Sequence, residues 1–213
     1  MTYEELIDRL KRKEPLCFLR YGDGEMKCIL YPSEDKNNCD GHKYYPELGK
    51  KLKDVLDNQQ ENQTAIMGLQ SLGDSLFPGF KSMWNINWTD SDIIHRANIK
   101  NGLKDFMDAC YNILLVGNPR MIKALEYFNV DWEMVTIPIK NSFTQYEEIY
   151  KKVEQSIKNK PDRVVLFCAG MMSEPMMDSL YRDYPNTTFI DVGSALDPYA
   201  GVQSRSYHKN FKV

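Results

Sequence analysis

The chain has 213 residues, 42% hydrophobic and 27% charged, the proportions of a folded globular protein and not of a disordered one. A net charge of −3 and a pI near 5.7 speak against a protein that grips nucleic acid through a broad basic surface, so no nucleic-acid partner is expected. Five cysteines, at 17, 28, 39, 110 and 168, are odd in number and lack a C-x-x-C pair, which disfavours a disulfide framework or a zinc ribbon; with no apolar run of membrane-spanning length and no leader pattern, one soluble cytoplasmic domain over residues 1–213 is expected.

In chain order, Thr2 and Glu5 make a capping box for a helix that carries Leu6 and Leu10 on one face and ends before Pro15. Leu16 to Arg20 follows as a buried strand, and Met26 to Leu30 opens a helix. Tyr31 to Tyr45 is polar, contains Pro32 and Gly41, and reads as a loop long enough to serve as a lid. Pro46 starts a helix with Leu48, Leu52, Val55 and Leu56 at helical spacing, and Thr64 to Leu69 is a second strand. Gln70 to Trp88 reads as irregular and aromatic, either lining an acceptor pocket or packing on the sheet edge. Helical spacing over Asp90 to Ala109 leads into a strand at Ile113 to Val116.

From there strands and helices alternate: a helix from Pro119, a strand at Trp132 to Ile137, and a helix over Phe143 to Lys158. A strand at Arg163 to Ala169, a helix from Gly170 and a last strand at Thr187 to Val192 complete the pattern. This alternation implies an α/β fold, Rossmann-like, with a mostly parallel sheet covered by helices on both faces. The segment 199–213 is basic and reads as a loose tail or as a cover over an anionic donor.

The densest chemistry lies in Phe18-Leu19-Arg20-Tyr21-Gly22-Asp23-Gly24-Glu25, where two carboxylates and an arginine sit on a glycine-hinged turn at a strand's carboxyl end. Open α/β sheets bind ligands at that edge, and hard carboxylate oxygens at Asp23 and Glu25 suit Mg²⁺ or Mn²⁺ carrying a substrate diphosphate. The flanking glycines, Gly22 and Gly24, permit positive φ or close backbone approach. Asp and Gly are equally the residues of a plain solvated turn. Gly117-Asn118 and Gly170, with Ser173 in the following turn, are two more strand-to-helix turns able to hold a phosphate, although neither has the full dinucleotide or P-loop pattern. Asp191-Val192-Gly193-Ser194, with Asp197 beyond it, repeats the theme at the last strand; Asp191 and Ser194 can face the same cleft, or serve only local turns. His42, His95 and His208 lack metal-ligand spacing.

The first of these segments resembles the F-x-R-x-G-D-G-E signature of the GT-D glycosyltransferases, a family first known as a domain of unknown function. Four further elements are similar in the same order: Gly117 at a central V-G turn, Asn141-Ser142-Phe143 with Tyr146, the apolar strand Val164 to Gly170, and Asp191-Val192-Gly193 followed by Asp197 and Tyr199. Ser194 stands where many members have histidine, and Gly170-Met171-Met172-Ser173 where they have a G-P-T-A-like run. The resemblance implies a Rossmann-like fold and transfer of a sugar from a nucleotide donor, UDP-hexose in the simplest case, to a glycan or glycoprotein acceptor. It also implies a divalent metal, Mn²⁺ or Mg²⁺, on Asp23 and Glu25, with Arg20 beside the diphosphate. Asp191 is the expected base or positioning group for the acceptor hydroxyl. A phosphohydrolase or nucleotidyltransferase using the same acidic turn, and a non-catalytic sugar-nucleotide-binding module, are the alternatives.

Overall fold

A computed structural model describes residues 1–210. The expected capping box forms at helix α1 (Tyr3–Lys11), with Thr2 accepting from the Glu5 amide and Glu5 from the Thr2 amide. Strand β1 (Cys17–Tyr21) runs into α2 (Asp23–Leu30), and a small antiparallel pair, β2 (Ser33–Asn37) and β3 (Lys43–Tyr44), leads to α3 (Pro46–Asn62). Then come β4 (Ile66–Leu69), α4 (Ser71–Leu76), β5 (Trp88–Asp90), α5 (Ile93–Asn101), α6 (Lys104–Ala109) and β6 (Ile113–Gly117). The last part runs α7 (Ile122–Phe128), β7 (Trp132–Thr136), α8 (Tyr146–Asn159), β8 (Val164–Cys168), α9 (Ser173–Asp183) and β9 (Thr188–Asp191).

Seven strands form one parallel sheet in the order β5-β4-β1-β9-β8-β6-β7. Because side chains alternate along a strand, each strand feeds two cores. Cys17, Leu19 and Tyr21 join α2, α3, α8 and α9 on one face; Leu16 and Phe18 join α1, α5, α6 and α7 on the other. A buried polar pin locks α3 to α9, Gln59 and Asn58 donating to Asp178 at 2.8 and 3.1 Å. The chain leaves β1 toward one edge through β4 and β5, and returns from the other through β6, β8 and β9. The sheet therefore changes direction between β1 and β9, and α/β sheets open a crevice at such a point.

Three expectations change. The presumed loop at 31–45 contains the β2–β3 hairpin, which polar alternation in Ser33–Asn37 does not announce because both of its faces are largely solvated. The stretch 70–88 is not irregular throughout: it holds α4, a 3₁₀ turn at Phe80–Met83 and the start of the short edge strand β5. Phe80 and Trp84 are buried and Trp88 packs edge-on to Tyr21, so these aromatics take the sheet-edge role. The single helical run at 90–109 is divided by Gly102, whose amide closes α5 onto Asn98.

Candidate functional site

The acidic turn after β1 opens directly into α2, with Gly22 as N-cap. Neither flanking glycine has positive φ, so close approach is what the turn requires: a Cβ on Gly22 would lie 3.2 Å from both Gln70 Oε1 and Glu25 Oε2. Glu25 Oε2 accepts from the Gly22 amide at 2.9 Å, and Asp23 is drawn outward to Lys27 at 2.7 Å. Both carboxylates still line one cleft of about 360 Å³ over the carboxyl ends of β1 and β9.

Arg20, the last inward side chain of β1 on the α5 face, is the hub. Its Nε donates to Ser91 O at 2.7 Å, and its terminal nitrogens reach Asp191 at 3.4 Å, Asp92 at 3.5 Å and His95 Nδ1 at 3.3 Å. Guanidinium is always a donor, so Nδ1 of His95 accepts and Nε2 carries the proton toward Ser194 Oγ, 3.4 Å away. Burial and then the Arg20 charge hold His95 well below the usual histidine range, and it stays neutral. Asp191 Oδ1 also accepts from the Gly193 amide at 3.0 Å. Gly193 has φ +52° and lies hard against Arg20, so no larger residue fits.

Behind Asp191 lies Glu174, 1% exposed, in the first turn of α9. Its carboxyl is within hydrogen-bonding reach of Asp191, and its Oε2 has no hydrogen-bond partner. Burial, then the charges of Asp191 and Glu25, push Glu174 well above the usual carboxyl range, which favours its protonated form. Burial likewise raises Glu25 to about 7 and raises Asp191, with Arg20 pulling Asp191 back. One arginine thus serves more buried carboxyls than it can neutralise. Sequence reasoning passed over Glu174, although an acid between the methionine pairs Met171-Met172 and Met176-Met177 was its signal; acids in a first helical turn usually signify only capping.

The Asn141-Ser142-Phe143 element acts as a clamp. Asn141, at φ +54°, donates its amide to His42 Nδ1 and accepts from the Lys43 amide at 2.9 Å, tying the hairpin to the segment between β7 and α8. Ser142 Oγ donates to Ala169 O beside the Gly170 turn, and Phe143 packs on Tyr45 and Tyr146. Tyr199 anchors the loop after β9, donating to Asn98 Oδ1 and accepting from the Leu103 amide.

Arg20, Gly22, Asp23, Gly24, Glu25, Asn118, Gly170, Asp191 and Ser194 all border the cleft. Gly117 and Ser173 do not. A Cβ on Gly117 would meet Cys168 and Met121 at 3.3 Å, which makes it a packing glycine, and Ser173 is fully buried beneath the turn. His42 and His95 border the cleft although their spacing gave no hint of it. So do Val202, Ser204 and Arg205: the segment after Tyr199 runs along the cleft instead of trailing away, and then enters a 3₁₀ turn at Ser206–Asn210. Residues 211–213 of the expected tail lie outside the described residues.

A larger concavity, about 560 Å³, lies at the opposite end of β4 and β5 beside Arg9, Arg12 and Trp88. Its arginines already pair with Glu14. Among the described residues no group of three His, Cys, Asp or Glu side chains is placed to cage a metal ion. Mg²⁺ and Mn²⁺ sites built from one or two carboxylates plus substrate phosphates need no such cage, and the oxygen donors of Asp23 and Glu25 are of the right kind. Among the described residues no helix is long and apolar enough to cross a membrane.

No family profile and no curated protein matches the sequence. Solved structures do. A selenomethionine-substituted structure of the domain of unknown function 1792 superposes with a TM-score of 0.70 at 16% identity, over 100% of this chain and 83% of that one. A structure described as a new glycosyltransferase of that domain type from Streptococcus sanguinis gives 0.70 at 16%, over 93% and 82%. A third, reported as showing that the domain has a distinct glycosyltransferase fold, gives 0.68 at 17%, over 100% and 83%. The chain has this fold, as the motif resemblance implied.

Proposed function

We propose that the protein is a metal-dependent glycosyltransferase that moves a sugar, a hexose from UDP in the simplest case, onto a glycan or glycoprotein acceptor. The observation that carries this reading is the meeting of the β1 and β9 turns, Arg20-Gly22-Asp23-Gly24-Glu25 and Asp191-Gly193-Ser194, in one cleft of a fold that a described glycosyltransferase shares. The phosphohydrolase, nucleotidyltransferase and binding-module readings have no comparable support.

Asp23 and Glu25 would hold Mn²⁺ or Mg²⁺ after Asp23 gives up Lys27. When bound, the metal supplies charge stabilisation to the departing nucleoside diphosphate. The chain's own groups do the rest. Arg20 fixes Asp191 from one side, and protonated Glu174 supports it from the other. Asp191 is thereby held as the acceptor-side carboxylate, placed to orient a hydroxyl or take its proton. Neutral His95 steadies Ser194 at the same edge without adding positive charge.

The test is release of nucleoside diphosphate from a panel of UDP-, GDP- and TDP-sugars with Mn²⁺ or with chelator. Glu25→Gln and Asp23→Asn are expected to abolish metal-dependent release while leaving the fold intact, as judged by near-ultraviolet circular dichroism. Undiminished release in both variants would remove the metal role. Inorganic phosphate or a transferred nucleotide as product would favour the alternative chemistry.

A further inference from the structure

The mouth of the cleft is spanned by two segments that start on different sides of it: the hairpin turn at 38–42 and the stretch at 202–205 after β9. They meet in a two-pronged ion pair. Arg205 reaches both oxygens of Asp40, its second nitrogen at 2.6 Å from Oδ2, and the two side chains are only 26% and 29% exposed. Each partner is held in place independently. Asn38 Oδ1 accepts from the Asp40 and His42 amides, fixing the turn, and Ser204 Oγ donates to Asp197, fixing the approach of Arg205. The Arg205 charge also reaches inward, helping to depress both His42 and His95, which lie on different walls of the cleft.

The cleft's cations differ in what they can offer an anion. Arg20 is committed to Ser91, Asp92, His95 and Asp191, so turning it to a ligand would dismantle the β1–β9 junction. Arg120 and Lys140 stand exposed on the rim. Arg205 instead turns its guanidinium fork to a carboxylate on a surface hairpin, its Nη1 also donating to Ser204 O at 3.0 Å. A carboxylate and a diphosphate present the same paired-oxygen geometry to that fork, and a partly exposed ion pair is worth little by itself, so one can replace the other.

We propose that Arg205 is the side chain that binds the diphosphate of the nucleotide ligand, and that Asp40 is the internal anion that occupies it until the ligand arrives. This rests on the nucleotide-sugar reading above. Ligand entry exchanges the Asp40 carboxylate for phosphate oxygens on Arg205; the 202–205 segment stays over the ligand while the hairpin turn is released. The pair is therefore both a recognition element for diphosphate and a latch.

Calorimetric titration of UDP, of inorganic diphosphate and of uridine, each with Mg²⁺, tests this on wild type, Arg205→Ala, Arg205→Lys, Asp40→Asn and the Arg205→Ala/Asp40→Asn pair. Arg205→Ala is expected to weaken UDP and diphosphate by about tenfold or more, and Arg205→Lys by less. Asp40→Asn, having lost the competing anion, is expected to tighten both, and the double variant to behave as Arg205→Ala; if Arg205→Ala fails to fold, Arg205→Lys and Asp40→Asn carry the comparison. Unchanged affinity in the Arg205 variants, or weakening by Asp40→Asn as large as theirs, overturns the inference and leaves the nucleotide-sugar reading standing. Absence of UDP and diphosphate binding by wild type overturns both.

Discussion

Arg20 and Glu174 hold Asp191 between them, and the balance of charge around that carboxylate decides how the site behaves. Gly193 is the residue most tightly coupled to it, since its positive φ and its contact with Arg20 both forbid a side chain. Gly193→Ala is expected to lower stability by about 1–3 kcal/mol, read from urea unfolding, and to reduce turnover, because the guanidinium must leave Asp191 to admit a methyl group. A variant as stable and active as wild type would mean that Arg20 is not fixed as described. At Glu174 the chemistry separates charge from shape. Glu174→Gln keeps a hydrogen-bonding group in place of the protonated form and should preserve stability, whereas Glu174→Ala leaves Asp191 unsupported and should cost about 1–3 kcal/mol. Equal effects of the two changes would contradict a protonated Glu174.

Among the elements, the hairpin is what the sequence disguised and Asn141 is what holds it. Replacing Asn141 by glycine keeps the left-handed backbone and removes only the side-chain acceptor for Lys43. Asn141→Gly is expected to cost about 1 kcal/mol and to speed hydrogen exchange at the Lys43 amide, with exchange in β8 and β9 unchanged. Uniform acceleration across the sheet would show that the clamp supports the whole fold and not the hairpin. The element order was otherwise legible because continuous apolar runs mark strands buried on both faces and period-3.6 patterns mark the helices: in β1, Phe18 feeds one core while Cys17, Leu19 and Tyr21 feed the other. What stayed hidden is short or solvated. β5 has three residues and β2 has no buried face, so neither carries a hydrophobic period. The acidic turn and the β9 turn could be read as strand-end chemistry and the basic segment 199–213 as a tail or a cover, whereas Glu174 reaches the site only through tertiary contact.

At the scale of the whole molecule, the buried carboxyls make stability depend on pH in a direction that can be worked out. Glu25, raised from 4.5 to about 7, holds more proton in the folded than in the unfolded state across that interval. Its contribution is therefore complete below about 4.5 and is lost as pH rises through about 7; Asp197, raised to about 6, acts in the same direction over a lower window. His42, His95 and His208, depressed chiefly by burial, act oppositely as pH falls below 6.5. The Glu25 share is isolated by comparison with Glu25→Gln, which cannot titrate there. The melting temperature of the variant should rise relative to wild type from pH 5 to pH 7 and level off above; a constant difference across the range would contradict a raised Glu25.

The central claim is that the cleft at the β1–β9 junction, and not the larger concavity at the other end of the strands, receives the nucleotide. Methionine residues report on both. Met171 packs against Gly24, which borders the cleft, while Met1 and Met67 border the other concavity. In a methyl-labelled methionine NMR titration with UDP and Mg²⁺, the Met171 signal is expected to shift and saturate while those of Met1 and Met67 stay in place; shifts at Met1 and Met67 with Met171 unmoved would put the nucleotide in the other concavity.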